Sequence, residues 1–80
     1  MKDMTTYEPI PLERITVENL ADEMLNCMAS AVALMDAKIG VRRQADLLNR
    51  LSLLHYWKTN GINYDDIKTF EKDPFAFLSL

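Results

Sequence analysis

Residues 17–39, VENLADEMLNCMASAVALMDAKI, decide the fold because they predict a helix whose apolar side is too wide for one neighbour. At about 100° per residue, the apolar side chains of this stretch cover roughly half of the helix circumference. A helix on the surface of a globular protein needs an apolar stripe only a little over ~100° wide. The surplus apolar surface must therefore be buried against a second layer, which this chain or another copy of it supplies.

The chain has 80 residues, which is enough for one domain with a small core. Such a core barely offsets the entropy of ordering the chain, and proteins of this size usually add disulfides, a metal or a partner subunit. The single cysteine, Cys27, cannot form an intramolecular disulfide, and it has no neighbouring Cys or His for a metal site. We therefore expect a second copy to supply the missing stability, most simply in a dimeric helical bundle.

Start and stop signals separate an extended N-terminal arm from the first helix. Pro9 and Pro11 favour an extended conformation over residues 1–15. Thr16 is suited to cap the first helix, and Gly40 is a plausible glycine at its C-terminal end. The sequence therefore predicts a first helix over about residues 17–39.

The apolar stripe changes phase at Gly40, which favours two helices with a tight turn over one long helix. In the phase of the first helix, Arg42, Arg43 and Asp46 would lie on the apolar side, whereas the leucines beyond them fall on nearly the opposite side. A second helix over about residues 42–59 follows, ended by Asn60-Gly61. The predicted fold is all-α: an antiparallel two-helix hairpin.

Residues 60–80 predict one or two short C-terminal helices and an apolar tail. Asn63 can cap a first short helix, and Asp73-Pro74 is typical of the start of another. The tail either closes the core of the monomer or inserts into a neighbouring subunit or a target groove. We treat residues 1–80 as a single domain, made of the arm (1–15), the hairpin (16–59) and this C-terminal part.

Charge is distributed unevenly along the chain, although its net value is only −3. Residues 1–37 carry a net charge of −5, residues 38–58 carry +4, and residues 59–80 carry −2. In an antiparallel hairpin the acidic and basic helices can pair across their seam, and such pairs favour this arrangement over others. The charge pattern therefore favours pairing of these two helices with each other over insertion of the basic helix into a DNA groove.

One edge of the second helix combines residue types that are enriched at interface hot spots. Arg43, Arg50 and Trp57 are spaced at sevens, and Leu53 and Trp57 project among polar residues of the solvent side. Either a partner covers this edge, or the third helix, the arm or the tail does. The predicted partner-binding residues are Arg42, Arg43, Arg50, Leu53, Trp57, Phe75, Phe77 and Leu80; the predicted dimer interface contains Leu20, Met24, Met28, Ala31 and Met35.

The stretch from Leu54 to Phe70 resembles the helix–Gly–helix segment in the DNA-binding domain of MerR-type regulators. The matching residues are Trp57, Lys58, Gly61, Ile62, Asp66 and Ile67. That family places a recognition helix-turn-helix before this segment, whereas here the preceding helix is acidic and would repel phosphates. The resemblance covers 17 of 80 residues, so the function of the family is not carried over.

No pattern in the sequence indicates catalysis, and we expect no enzymatic activity, no cofactor and no bound metal. The predicted function is non-catalytic protein–protein interaction by a small helical regulator, adaptor or inhibitor that binds a larger partner. One alternative is a dimeric DNA-binding regulator that presents Arg42, Arg43, Arg50 and Lys58, and another is a sponge for a small acidic ligand bound between subunits. Neither a signal peptide nor a membrane span is indicated, so we expect a cytoplasmic protein.

Overall fold

The computed structural model describes residues 7–78, and this part of the chain is all-helical. Helix α1 spans Leu20–Ala37, α2 spans Val41–Asn60 and α3 spans Asp66–Lys72, with a short 3-10 helix at Leu12–Arg14 before them. Helices α1 and α2 pack against each other. The predicted all-α hairpin is therefore confirmed, while residues 1–6 of the predicted arm lie outside the described residues.

Helix α1 begins later and ends earlier than its sequence predicts. A turn that opens at Thr16 precedes it, in which the Thr16 backbone N–H donates to Asn19 Oδ1 over 2.8 Å. At the other end, Lys38 adopts the left-handed conformation with φ 58°, and its backbone N–H donates to the Met35 carbonyl. The prediction that Gly40 caps this end is wrong, because Gly40, with φ 64°, lies directly before α2 and reverses the chain into it.

The buried side of α1 is not its most apolar side. Leu20, Cys27, Ala31 and Leu34 are buried, and so are the polar residues Glu23 and Ser30. Much of the apolar stripe lies in solvent instead, including four large side chains that are 42–59% exposed: Leu25, Met28, Val32 and Met35. The described part of the chain thus leaves the surplus apolar surface of α1 uncovered.

Trp57 is buried against the chain that follows α2. Gly61, with φ 95°, turns the backbone so that residues 62–67 lie across the helix. The Trp57 indole N–H donates to Asp66 Oδ2 over 2.9 Å. Trp57 and Leu53 are 1% and 0% exposed, so the chain itself covers them and they are not available to a partner.

The C-terminal segment forms turns rather than a fourth helix. The Asp73 side chain accepts a hydrogen bond from the Phe75 backbone N–H, but residues 74–78 stay in a turn because so short a segment cannot repay helix nucleation. Phe77 is buried beside Tyr56 and Phe70, with ring centroids 5.2 and 6.5 Å away. Within the described residues the tail closes the core through Phe77, while Phe75 is exposed and Leu80 lies outside the described residues.

The described part of the chain has room for only two layers of helices. Its dimensions are 34 × 26 × 18 Å, and one helix with its side chains is about 10 Å thick. The hairpin forms one layer, and residues 7–15 together with α3 contribute the other. One side of the hairpin is therefore covered and the opposite side is open.

Replacing a buried apolar residue with alanine should lower the free energy of unfolding much more than replacing an exposed one. Leu54 is fully buried, so Leu54→Ala should lower the free energy of unfolding by about 2–5 kcal/mol through lost burial and a residual cavity. Phe75→Ala is the matched control, because Phe75 is 61% exposed, and it should change stability by no more than about 0.5 kcal/mol. Urea titration followed by Trp57 fluorescence measures both; equal losses would contradict this assignment of the core.

Candidate protein-interaction site

A buried ion pair joins both long helices to the N-terminal segment. Arg50 on α2 lies 2.8 Å from Glu23 on α1, measured from Nη2 to Oε2, and the two side chains are only 11% and 8% exposed. The same Arg50 nitrogen donates to the Ile10 carbonyl over 2.8 Å, and the Tyr7 hydroxyl donates to Glu23 Oε2. Arg43 donates to the Tyr7 carbonyl. The arginines of α2 thus fix residues 7–10 to the hairpin.

The electrostatics of this cluster keep Tyr7 in its protonated, donating form. Burial raises the pKa of Tyr7 above its ordinary range, and the hydrogen bond to Glu23 raises it further, while the charge of Arg50 acts in the opposite direction. The carboxylate of Glu23 therefore accepts from a phenol and a guanidinium at once. The two groups that compensate for the lost hydration of Glu23, the Tyr7 hydroxyl and the Arg50 guanidinium, both come from outside α1.

Most of the predicted contact edge is committed to the fold. Arg50, Leu53 and Trp57 are buried, and Arg43 is bonded to the backbone of Tyr7. Of the basic residues named for the DNA-binding alternative, only Arg42 and Lys58 are exposed without a bond inside residues 7–78. Carbonyls of residues 7–10 accept from the arginines of this edge, and Asp66 accepts from Trp57; the spacing of residues along α2 indicates neither contact.

A small pocket beside Arg43 and Arg50 is the place in the described chain where these arginines could contact a small acidic ligand. It has a volume of about 250 Å³ and is also lined by Asn49, Phe70 and the carboxylate of Asp46. The negative charge of Asp46 opposes the binding of an acidic ligand in this pocket. Among residues 7–78, no group of three or more His, Cys, Asp or Glu side chains could hold a metal ion.

The open side of the hairpin carries two parallel stripes without charged residues. On each helix the stripe positions alternate at spacings of four and three, and all are exposed except Ser52, which is half-buried. This is the spacing of a coiled-coil seam. We call this surface, with Ile39 in the turn between the helices, the open face: Ala21, Leu25, Met28, Val32 and Met35 of α1, and Val41, Ala45, Leu48, Ser52, His55 and Thr59 of α2.

A groove deepens the open face at the end away from the turn. It has a volume of about 870 Å³, and Met24, Met28, Leu48 and Leu51 form its apolar floor and walls. The far end is bounded by Tyr56, Phe77 and Leu78 from α2 and the tail. The unbranched methionine side chains can adapt to the shape of a partner.

The predicted dimer interface divides between the core and the open face. Leu20 and Ala31 are buried in the core of the monomer, so they cannot contact a second copy; Met24 is half-buried, and Met28 and Met35 are exposed. Leu25 and Val32 are also exposed on the open face, although they were not among the predicted residues. The alternating four-three spacing could have identified them, because it separates this seam from the buried positions of the same wide stripe.

Comparisons with known proteins give no match: no family model, no characterised protein and no solved structure is significantly similar to this chain. No helix within residues 7–78 is long and apolar enough to cross a bilayer. Any functional proposal therefore has to rest on the geometry of the chain itself.

Breaking the buried ion pair from one side should be more damaging than removing it entirely. Arg50→Met leaves Glu23 buried without its cation, and we expect a loss of about 3–5 kcal/mol in the free energy of unfolding. The double variant Glu23→Gln/Arg50→Met should be more stable than Arg50→Met, because no uncompensated charge remains. Arg42→Met is the exposed control, and urea titration gives all four stabilities. A double variant less stable than Arg50→Met would contradict the structural role of the pair.

Cys27 should be protected from thiol reagents and should make stability depend on pH in alkaline solution. Burial raises its pKa to about 11, and its thiol donates to the Leu47 carbonyl over 3.1 Å. The thiolate fraction at pH 8 is then on the order of 100-fold below that of an ordinary cysteine. Reaction with DTNB should be correspondingly slow until urea unfolds the protein.

The sign of the pH effect follows from the raised pKa of Cys27. Below pH about 8.5 the thiol is neutral in both states, and its full contribution to stability is present. As the pH rises towards 11, the unfolded chain releases this proton first, so stability falls. Urea midpoints between pH 7 and 10 should show a smaller decline for Cys27→Ala than for the unmodified chain; identical declines would contradict the assignment.

Proposed function

We propose that this chain is a non-catalytic regulator, adaptor or inhibitor that binds a larger protein through the open face. The observation that supports this most directly is the exposure of seven large apolar side chains along one side of the hairpin: Leu25, Met28, Val32, Met35, Ile39, Val41 and Leu48. With on the order of 200 Å² for a fully exposed large side chain, their exposed fractions correspond to about 700 Å². The largest apolar patch of a typical monomer is about 300–600 Å², so this surface is suited to protein contact.

The spacing of the open face favours a helical segment as the element that binds it. Two antiparallel helices packed side by side, with seam positions every three or four residues, form a shallow channel between them. An amphipathic helix can lay its apolar side into such a channel, with anchors at the same spacing. The groove beside Met24 and Leu51 widens the channel enough to accept large side chains.

The buried titratable groups support a role without catalysis. Glu23, Arg50 and Tyr7 are bonded to one another and to backbone carbonyls, so they hold the N-terminal segment in place. A general acid or base has to reach a proton on its substrate. The groups of this cluster instead point at partners inside the chain, and steric or competitive binding remains the mechanism that the open face suits.

Photo-crosslinking in cells of the source organism tests this proposal. We expect benzoylphenylalanine at position 28, on the open face, to give an adduct with a second, larger protein. The matched control is the same substitution at position 68, which is exposed on α3 and is not part of the open face. Mass spectrometry of the adducts identifies the protein attached. The proposal fails if position 28 gives no adduct with another protein, or if position 68 gives the same adduct in equal yield.

A further inference from the structure

We propose that a second copy of this chain occupies the open face when the protein is alone, with α1 of each copy packed antiparallel on α2 of the other. The inference rests on the proposed function in one respect, because both assign the open face to protein contact. It goes further by naming an occupant and a geometry.

The size of the open face matches the needs of a reversible dimer. Its large side chains expose about 700 Å², and a standard protein–protein interface buries about 800 Å² per partner. Two copies related by a two-fold axis would each bury this same surface, as symmetric dimers do. The two layers of helices in one copy become four in the dimer, and the side of the hairpin that the described chain leaves bare is enclosed.

The order of side chains along the two seams favours packing of α1 on α2 over packing of α1 on itself. In an antiparallel register that brings Val32 opposite Leu48, the bulky Met28 and Met35 lie opposite Ser52 and Ala45. Large and small residues then alternate across the seam, which is the pattern that fills a helical interface without voids. Packing of α1 on α1 would instead place the methionines and leucine of one seam against those of the other.

Charges beside the seams favour the same arrangement. Asp22 and Asp36 follow the seam of α1 on one edge, and Arg42 occupies the corresponding edge of α2. The ion pair described within residues 7–78 is Arg50–Glu23, so none of these three side chains has an ion-pair partner among those residues. Antiparallel packing of α1 on α1 brings the two aspartates towards each other, whereas packing of α1 on α2 brings Asp36 of one copy near Arg42 of the other. Exposed pairs of this kind select the arrangement more than they add affinity.

Analytical ultracentrifugation of the full chain tests the dimer. Between about 1 and 200 µM, we expect the unmodified chain to reach twice its monomer mass of 9.2 kDa. Met28→Glu places a charge in the seam and should weaken association by at least about 100-fold, leaving a monomer at 100 µM. Lys68→Glu on α3 is the matched control and should remain dimeric. Because Met28 is exposed, the variant should keep the helical circular dichroism of the parent.

Three results would overturn the dimer. They are an unmodified chain that stays at 9.2 kDa up to 200 µM, a Met28→Glu variant that associates as tightly as its parent, and an equal weakening by Lys68→Glu. A monomer whose position 28 still crosslinks to a larger protein overturns this inference and leaves the proposed function standing. A dimer whose position 28 gives adducts only with a second copy of the chain supports this inference and contradicts the proposed function.

Disulfide crosslinking tests which helices meet. Mixing the single variants Val32→Cys and Leu48→Cys under mild oxidation should give the mixed disulfide as the main product, because α1 of one copy lies on α2 of the other. Cys27 can stay in place, since it is buried. If Val32→Cys alone forms its symmetric disulfide faster than the mixture forms the mixed one, α1 packs on α1 and the proposed geometry is wrong.

Discussion

The buried ion pair between Glu23 and Arg50 is the interaction on which the rest of this structure depends. Two charges away from water need each other and further hydrogen-bonding partners, because desolvation costs several kcal/mol per ion. The chain supplies partners by bringing the Tyr7 hydroxyl to Glu23 and the Ile10 carbonyl to Arg50, while Arg50 Nε is buried without a hydrogen-bond partner among residues 7–78. The N-terminal segment must therefore lie against the side of the hairpin that contains Glu23. That single requirement decides which side of the hairpin is covered.

The same requirement explains why so much apolar surface is left outside. A helix has one set of positions that can face a given neighbour, and in α1 the set containing Glu23 also contains Cys27, Ser30 and Leu34. Turning these inward turns Leu25, Val32 and Met35 outward. The protein thus buries polar residues while it exposes apolar ones. Local sequence preference and the observed burial disagree along α1, and such disagreements concentrate at functional sites.

The second helix shows how a contact surface inferred from residue types can be part of the core. Arg43, Arg50 and Trp57 have the identity and spacing of an interface hot spot, yet each is bonded within the chain. The acceptors are the backbone carbonyls of Tyr7 and Ile10 and the carboxylates of Glu23 and Asp66, and all but Asp66 lie at least 27 residues from their donors. Hydropathy periodicity describes one helix at a time, so it cannot show whether a loop returns to cover that helix. The uncharged seam of α2, by contrast, needs no distant partner to be recognised.

The sequence by itself determined the all-α class, the turn near Gly40, the approximate extents of the hairpin helices and the surplus of apolar surface on the first of them. These features follow from local periodicity and from backbone preferences that act over a few residues. Only the tertiary structure decided which half of that apolar surface is buried, because the choice depends on Glu23 meeting Arg50, 27 residues away. It also decided that Trp57 belongs to the core and that the residues after Asp73 form turns. The physical reason is the same in each case: the free energy of burying a side chain depends on the partners that the rest of the chain brings to it.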